Sequence, residues 1–249
     1  MTARLVVVHP DPETLAVGTA ARLLLRLMDA QSVHSPVHVG LTGGGMGSRV
    51  LAAVAVSPLR AAVDWTGVHL WWGDERFLPA GDPERNETQA RAALLDALPL
   101  PPENVHAVPP AGPGVTSPHD AADAYASELA RFAADRDDAG PAVPAFDVLM
   151  LGVGPDGHVA SLFPGQPGIG VLDRTTVGVT HSPKPPPQRV SLTLPAIEAA
   201  EEVWLVVAGH DKADAVRRAL AGADPAELPA AAVRGRARTL WLLDVEAAS

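Results

Sequence analysis

One histidine in this sequence stands directly behind a turn able to carry it into a cleft. Leu149-Met150-Leu151 runs into Gly152-Val153-Gly154-Pro155-Asp156-Gly157, and His158 follows. An imidazole titrates near neutral pH and can move protons. The glycines permit backbone paths that side chains forbid, and Pro155 fixes one dihedral between them. Other polar groups also sit behind apolar runs. Gly43-Gly44-Gly45 follows Val37–Leu41, and Gly73-Asp74-Glu75-Arg76 follows Val68–Trp72. Gly209-His210-Asp211-Lys212 follows Val203–Ala208, and the proline-rich stretch 181–189 carries Lys184 and Arg189. Together these groups describe one pocket with an anion-binding side and one histidine able to move a proton. Each group also has a plain structural reading: a tight turn, a solvated ion pair, or a lysine pointing to water.

Several chemistries are not indicated. The chain has no cysteine, which removes thiol nucleophiles, thiolate metal sites and disulfides. No His, Asp and Glu set has zinc spacing, so no metal is expected. His106 and His119 read as ordinary surface residues. Ser161 lacks the Gly-x-Ser-x-Gly elbow of a serine hydrolase. The glycine turn is not followed by Gly-Lys-Ser/Thr, so it is not a nucleotide P-loop. A formal net charge of −10 argues against nucleic acid as a partner, and no apolar run reaches membrane-spanning length. The N-terminus reads as a first strand rather than a signal peptide. With no cysteine, that makes the cytoplasm the expected location.

Elements that could hold these residues follow from the pattern. Strands are expected at 4–8, 37–41, 68–72, 146–151, 177–179, 190–194, 203–208 and 239–243. Asp11-Pro12-Glu13 suits a helix start, with an N-cap, a proline at the first position and an acidic first turn. That helix should run to about Ala30 and bury Leu15, Leu23, Leu24 and Leu27. Further helices are expected from Ser48 to Val56, from an Asp82-Pro83-Glu84 cap through Asn86 to about Leu98, from His119 to Ala134, from Pro195 to Ala200 and up to Leu220. A polar loop is expected over 135–144. The irregular stretch from Pro164 to Asp173 should fold over the site. Residues 181–189 are too proline-rich for helix or central strand, and suit either a flexible linker or a stiff polyproline-type arm. Alternating strands and helices imply an α/β fold: one Rossmann-like domain over 1–249 with a mostly parallel sheet and helices on both faces. Ligands of such sheets sit at the carboxyl ends of the strands, where Gly43, Asp74, His158 and Lys212 would all lie.

Three stretches together resemble one family. They are Gly73-Asp74-Glu75-Arg76 with Asn86 downstream, the run from Leu151 through Gly157-His158 to Pro164, and Ser182-Pro183-Lys184-Pro185-Pro186-Pro187-Gln188-Arg189-Val190-Ser191-Leu192-Thr193-Leu194-Pro195. They look like the 6-phosphogluconolactonases, and the similarity extends over essentially the whole chain. The turn ending in His158 also occurs in the related glucosamine-6-phosphate isomerases and deaminases; the proline arm favours the lactonases. The resemblance implies metal-independent, cofactor-free hydrolysis of 6-phosphoglucono-δ-lactone to 6-phosphogluconate in the pentose phosphate pathway. Its partner would be that small phosphorylated sugar lactone.

On this reading His158 and Asp74 are catalytic, His158 as base toward water and Asp74 orienting either His158 or the sugar hydroxyls. Gly43, Gly44, Gly45, Arg76, Asn86, Lys184, Arg189 and Lys212 would bind substrate. Arg76, Arg189 and Lys212 would share the phosphate and the oxyanion, with Lys184 at the rim. The family's glycine turn usually reads Ser-Gly-Gly-Ser/Thr-x-Pro. Here Thr42-Gly43-Gly44-Gly45-Met46-Gly47 keeps backbone donors and lacks hydroxyls at 45 and 46. Two other classes share these features. A sugar-phosphate isomerase or deaminase would need a carboxylate base from the stretch after Trp72. A non-catalytic sugar-phosphate sensor would usually carry a DNA-binding domain, for which the first strand leaves no room. Nothing in the sequence separates a monomer from a dimer.

Overall fold

Six apolar runs bounded by turn residues align in parallel, and the polar groups behind them gather along one edge. The computed structural model describes residues 3–134 and 140–249. In chain order the elements are β1 (Ala3–His9), α1 (Pro12–Gln31), β2 (Val37–Leu41), α2 (Gly44–Val56), β3 (Val68–Trp72), β4 (Asp74–Arg76), α3 (Asn86–Ala93), α4 (Pro118–Arg131), β5 (Phe146–Leu151), β6 (Thr176–Val179), β7 (Arg189–Leu192), α5 (Leu194–Glu198), β8 (Glu202–Val207), α6 (Ala213–Leu220) and β9 (Arg238–Asp244). The six-stranded sheet has the order β1-β9-β8-β5-β2-β3, and all its pairs are parallel. The expected 135–144 loop lies partly outside the described residues.

Alternate residues of the central strands enter two separate cores, as a sheet covered on both faces requires. Val39, Val148, Met150, Val206 and Leu242 pack with Leu15, Leu23, Leu24 and Leu27 of α1 and with α2. Phe146, Leu149, Leu151, Leu205 and Trp241 pack on the other side with α4, α5 and α6. The start of α1 is as its sequence dictates: Thr14 N–H donates to Asp11 Oδ1 at 2.7 Å, with Pro12 at the first helical position. Burying each α1 leucine contributes about 1.5–3 kcal/mol. α4 begins with a reciprocal Ser117–Asp120 capping box behind Pro118.

Two features depart from the sequence reading. The helix expected from Ser48 begins at Gly44, so most of the glycine turn is the first turn of α2. Asp74-Glu75-Arg76 is not a solvated loop. It is β4, in a second, antiparallel sheet ordered β4-β7-β6. Asp74 pairs across it with Ser191, and Arg76 with Arg189. Glu75 is fully buried in consequence. Its carboxylate accepts the N–H groups of Arg76 (2.8 Å), Asn86 (2.7 Å) and Glu87 (2.9 Å) and faces the buried Arg85 at 3.7 Å. Burial pushes the Glu75 carboxyl up, and Arg85 with those backbone donors works against the rise. Glu75 therefore satisfies the orphan donors at the start of α3. That job had been expected of Asp82, whose carboxylate instead accepts Glu84 N–H.

Another correction concerns His106. It is 5% exposed, stacked on Trp71 with ring centroids 3.8 Å apart, and bonded to His69 (2.8 Å) and Glu128 (2.8 Å). Its partners come from β3 and α4, which proximity along the chain does not reveal. His119 is exposed as expected.

Candidate active site

The carboxyl ends of β2, β3, β5 and β8 open on one cleft. A cavity of about 410 Å³ is lined by Gly43, Gly44, Asp74, Arg76, Asn86, His158, Lys184, Arg189 and Lys212, among others. An adjoining cavity of about 460 Å³ shares Gly43, Gly44 and Lys212 and adds Gly45 and Arg49. All ten residues expected at the site thus border one continuous cleft.

The loop after β5 is a closed turn. Gly157 N–H donates to Gly154 O (2.9 Å) and Gly154 N–H to His158 O (3.0 Å). Gly157 has φ +81, and a Cβ there would meet Leu228 at 2.4 Å. A Cβ on Gly154 would lie 2.0 Å from the His158 ring, so only glycine leaves room for the imidazole. The ring lies against Phe163 at 4.6 Å, and its Nδ1 is 2.5 Å from Asp156 Oδ1. A carboxylate only accepts, so Nδ1 carries the hydrogen and Nε2 keeps its lone pair. Nε2 has no protein partner among the described residues. Burial pushes the Asp156 carboxyl up. The hydrogen bond and charge of His158, with Lys184 Nζ at 3.6 Å, outweigh it and hold the group well below the usual carboxylate range.

Asp74 does not reach His158; Asp156 holds that position. Of the two orienting roles considered for Asp74, the one toward the sugar hydroxyls remains. Ser161 Oγ donates to Asp74 Oδ2 at 2.6 Å, and Arg189 Nη1 is 3.9 Å from the same oxygen. Asn86 ties this strand to the glycine turn. Its Nδ2 donates to Asp74 O at 2.8 Å, and its Oδ1 sits where a Cβ on Gly43 would come within 1.8 Å.

The cations differ in freedom. Arg189 is 7% exposed. Its Nε donates to Pro186 O (3.1 Å), and its Nη2 to Pro185 O (2.9 Å) and Lys184 O (3.3 Å). Ser182 N–H closes the same loop on Pro187 O. The proline segment is therefore a tied loop, neither linker nor extended arm, and most of the Arg189 fork is spent holding it. Arg76 Nη1 donates to Glu84 O at 2.6 Å. Lys212 Nζ pairs with the Asp211 carboxylate at 2.8 Å while lining the cleft. The stretch 164–173 does not line the cleft. Gln166, Pro167 and Gly168 border a separate cavity of about 230 Å³, with His119, His181 and Ser161.

Sequence reasoning gave no role to Asp156, Ser161 or Arg49, and considered Glu75 only as an alternative base rather than as the buried cap of α3. Asp156 was legible, because Asp-Gly-His in a glycine turn brings a carboxylate back onto the ring two residues away. Ser161 and Glu75 depend on pairings between distant segments, and Arg49 reaches the cleft from α2, whose start in the glycine turn was not expected.

Known proteins resemble this chain over most of its length. A family model described as glucosamine-6-phosphate isomerases/6-phosphogluconolactonase matches residues 10–241. The 6-phosphogluconolactonase of Streptomyces coelicolor is 59% identical over 244 residues, covering 98% of this chain and 93% of the relative. That of Mycobacterium leprae is 45% identical over 244 residues, covering 97% and 96%. The solved structure of 6-phosphogluconolactonase from Trypanosoma brucei superposes with a TM-score of 0.83 at 26% identity, covering all of this chain and 98% of its own.

Proposed function

This chain belongs to the glucosamine-6-phosphate isomerase/6-phosphogluconolactonase family, and on that premise we propose that it hydrolyses 6-phosphoglucono-δ-lactone to 6-phosphogluconate, a step of the pentose phosphate pathway. The chain is a hydrolase of the lactonase branch, acting over residues 1–249 as one catalytic unit. The observation that carries the mechanism is His158, held at Nδ1 by Asp156, with Nε2 left without a protein partner among the described residues, on a cleft edged by cations.

A water on Nε2 gives its proton to the imidazole as its oxygen attacks the lactone carbonyl carbon. The charge that develops on the carbonyl oxygen is met by the cations of the cleft. Collapse breaks the bond from that carbon to the ring oxygen, and the imidazolium returns the proton to the departing oxygen. The Asp156 carboxylate stabilises the imidazolium in between. Asp74 accepts from sugar hydroxyls and sets the ring's orientation. The phosphate lies with Lys212, Arg76 and the free N–H groups at the start of α2, where the helix dipole favours an anion. Lys184 stands at the rim beside Asp156. Arg189 contributes Nη1 and otherwise holds the proline loop.

Among the described residues no helix is long and apolar enough to cross a membrane, and the cysteine-free chain suits the cytoplasm. The test is acid release from freshly made 6-phosphogluconolactone, with spontaneous opening subtracted. Ammonia released from glucosamine 6-phosphate, without enzyme-dependent lactone opening, would sink the assignment in favour of a deaminase.

A further inference from the structure

Resting on the lactonase reading, we propose that Ser161 is a positioning residue for Asp74, and that the segment from His158 to Ser161 sets the base and the sugar-orienting carboxylate in register. Ser161 is buried, at 1% exposure. Its hydroxyl donates to Asp74 Oδ2 at 2.6 Å, and its N–H donates to Ser191 Oγ at 3.1 Å. Ser191 Oγ donates onward to Leu192 O at 2.9 Å. Ser191 is the cross-strand neighbour of Asp74 in the β4–β7 pair, so the two side chains share one face of that sheet. Ser161 thus spans from the backbone-anchored Ser191 hydroxyl to the Asp74 carboxylate.

The consequence for Asp74 is geometric. Oδ2 is taken by the Ser161 hydroxyl, with Arg189 Nη1 behind it. Oδ1 has no protein partner among the described residues, while Asp74 lines the cleft. A carboxylate pinned at one oxygen presents the other as an acceptor of fixed direction. An unpinned one could still bind a sugar hydroxyl, in a wider range of poses. Orientation rather than binding is then lost, and such losses appear in kcat.

The coupling to His158 comes from the chain itself. Ala160 has φ +49 and is the one non-glycine residue with positive φ among those described. That left-handed residue lies between His158, turned onto Asp156, and Ser161, turned onto Asp74. Uncommon backbone of this kind persists where its surroundings over-determine it. Here both ends of the segment are fixed, by the Asp156 and the Asp74 hydrogen bonds.

The experiment is a double-mutant cycle on lactone hydrolysis, with thermal unfolding of each variant. Ser161→Ala should lower kcat by about tenfold to a hundredfold, the effect of losing a hydrogen bond to a charged group, with KM within about twofold of wild type. Ser161→Cys keeps the side chain's shape but offers a weak donor. It should lose kcat similarly with little change in melting temperature. In an Asp74→Ala background Ser161→Ala should cost less than about twofold further, because the two act as one unit. In Asp74→Asn, where the acceptor is neutral, the loss should shrink to a few-fold. An active wild type in which Ser161→Ala is harmless, or costs as much without the carboxylate as with it, overturns the inference. A wild type that does not accelerate lactone opening overturns instead the reading beneath it.

Discussion

Asp156 holds His158 through a hydrogen bond of 2.5 Å between Oδ1 and Nδ1, and the two are separated only by Gly157. The pair is built within one turn, so it forms wherever the turn forms. Asp156→Asn should leave the fold intact and lower kcat by about tenfold to a hundredfold, since an amide can hold the ring but cannot stabilise an imidazolium. KM should barely move. Steady-state kinetics on the phosphorylated lactone test this, and equal turnover in the variant would remove Asp156 from the mechanism.

His158→Asn should lower kcat by roughly 10²–10⁴, the usual range for a lost general base. A base must be neutral to take a proton, so wild-type turnover should fall at acid pH and the variant's residual rate should lack that limb. Near-wild-type kcat with the same limb would move the base role to another group in the cleft.

Lys212→Ala should act selectively. The lysine borders both cavities beside the glycine turn, and a charge-assisted contact to phosphate contributes about 1.5–3 kcal/mol. kcat/KM should fall about tenfold to a hundredfold for the phosphorylated lactone and little for unphosphorylated gluconolactone. Arg189→Ala should behave differently. It removes the donor to three carbonyls of the proline loop, so it should lower the melting temperature and weaken turnover of both substrates. A purely phosphate-selective loss would show that Arg189 serves the ligand more than the loop.

Stability should fall in mild acid. Burial pushes His38 down to about 3, assisted by His69, His106 and His34. In the unfolded chain a histidine titrates near 6.5. Above that value both states are neutral and this group gives no pH dependence. Below it the unfolded chain takes up a proton that folded His38 refuses, so stability drains away as pH falls from about 6.5 toward 3. The slope from one such group is at most about 1.4 kcal/mol per pH unit. Burial also pulls His69 and His106 down, in the same direction. His38→Asn, which can still accept from Trp71 Nε1, should flatten urea-unfolding stability between pH 7 and 5. An unchanged slope would place the acid sensitivity elsewhere.

What could be read in advance divides along the range of the interactions involved. The strands 37–41, 68–72 and 146–151 were legible to the residue, because each is an apolar run closed by a turn. His158 was legible as the residue its turn presents. The start of α2 was not. Glycine is a poor helix former, yet Gly43 and Gly47 are demanded there by the close approach of Asn86 and of Thr42 O. β4 was hidden for the same reason: three polar residues read as loop until the segment after the proline loop pairs with them. Arg189 shows the limit most plainly. Its charge and placement suggested a ligand contact, while its guanidinium is mostly committed to the carbonyls of its own loop.

β1 precedes the other described strands in the chain, yet its place in the sheet waits for β9, which follows them all. Among the described strands its partner in the sheet is β9 alone, so none of the others receives it while the chain is being made. Until then Leu5, Val6 and Val8, still 47–49% exposed after pairing, leave the ribosome without a strand beside them. Closing so long a loop is slow in any fold. A nascent or truncated chain that stops before Arg238 would therefore carry an orphan hydrophobic strand and a raw edge along β8, the template on which chains stick to one another. Chaperone demand during synthesis, and a slow final refolding phase reported by near-UV signals from Trp241, are where that topology would be felt.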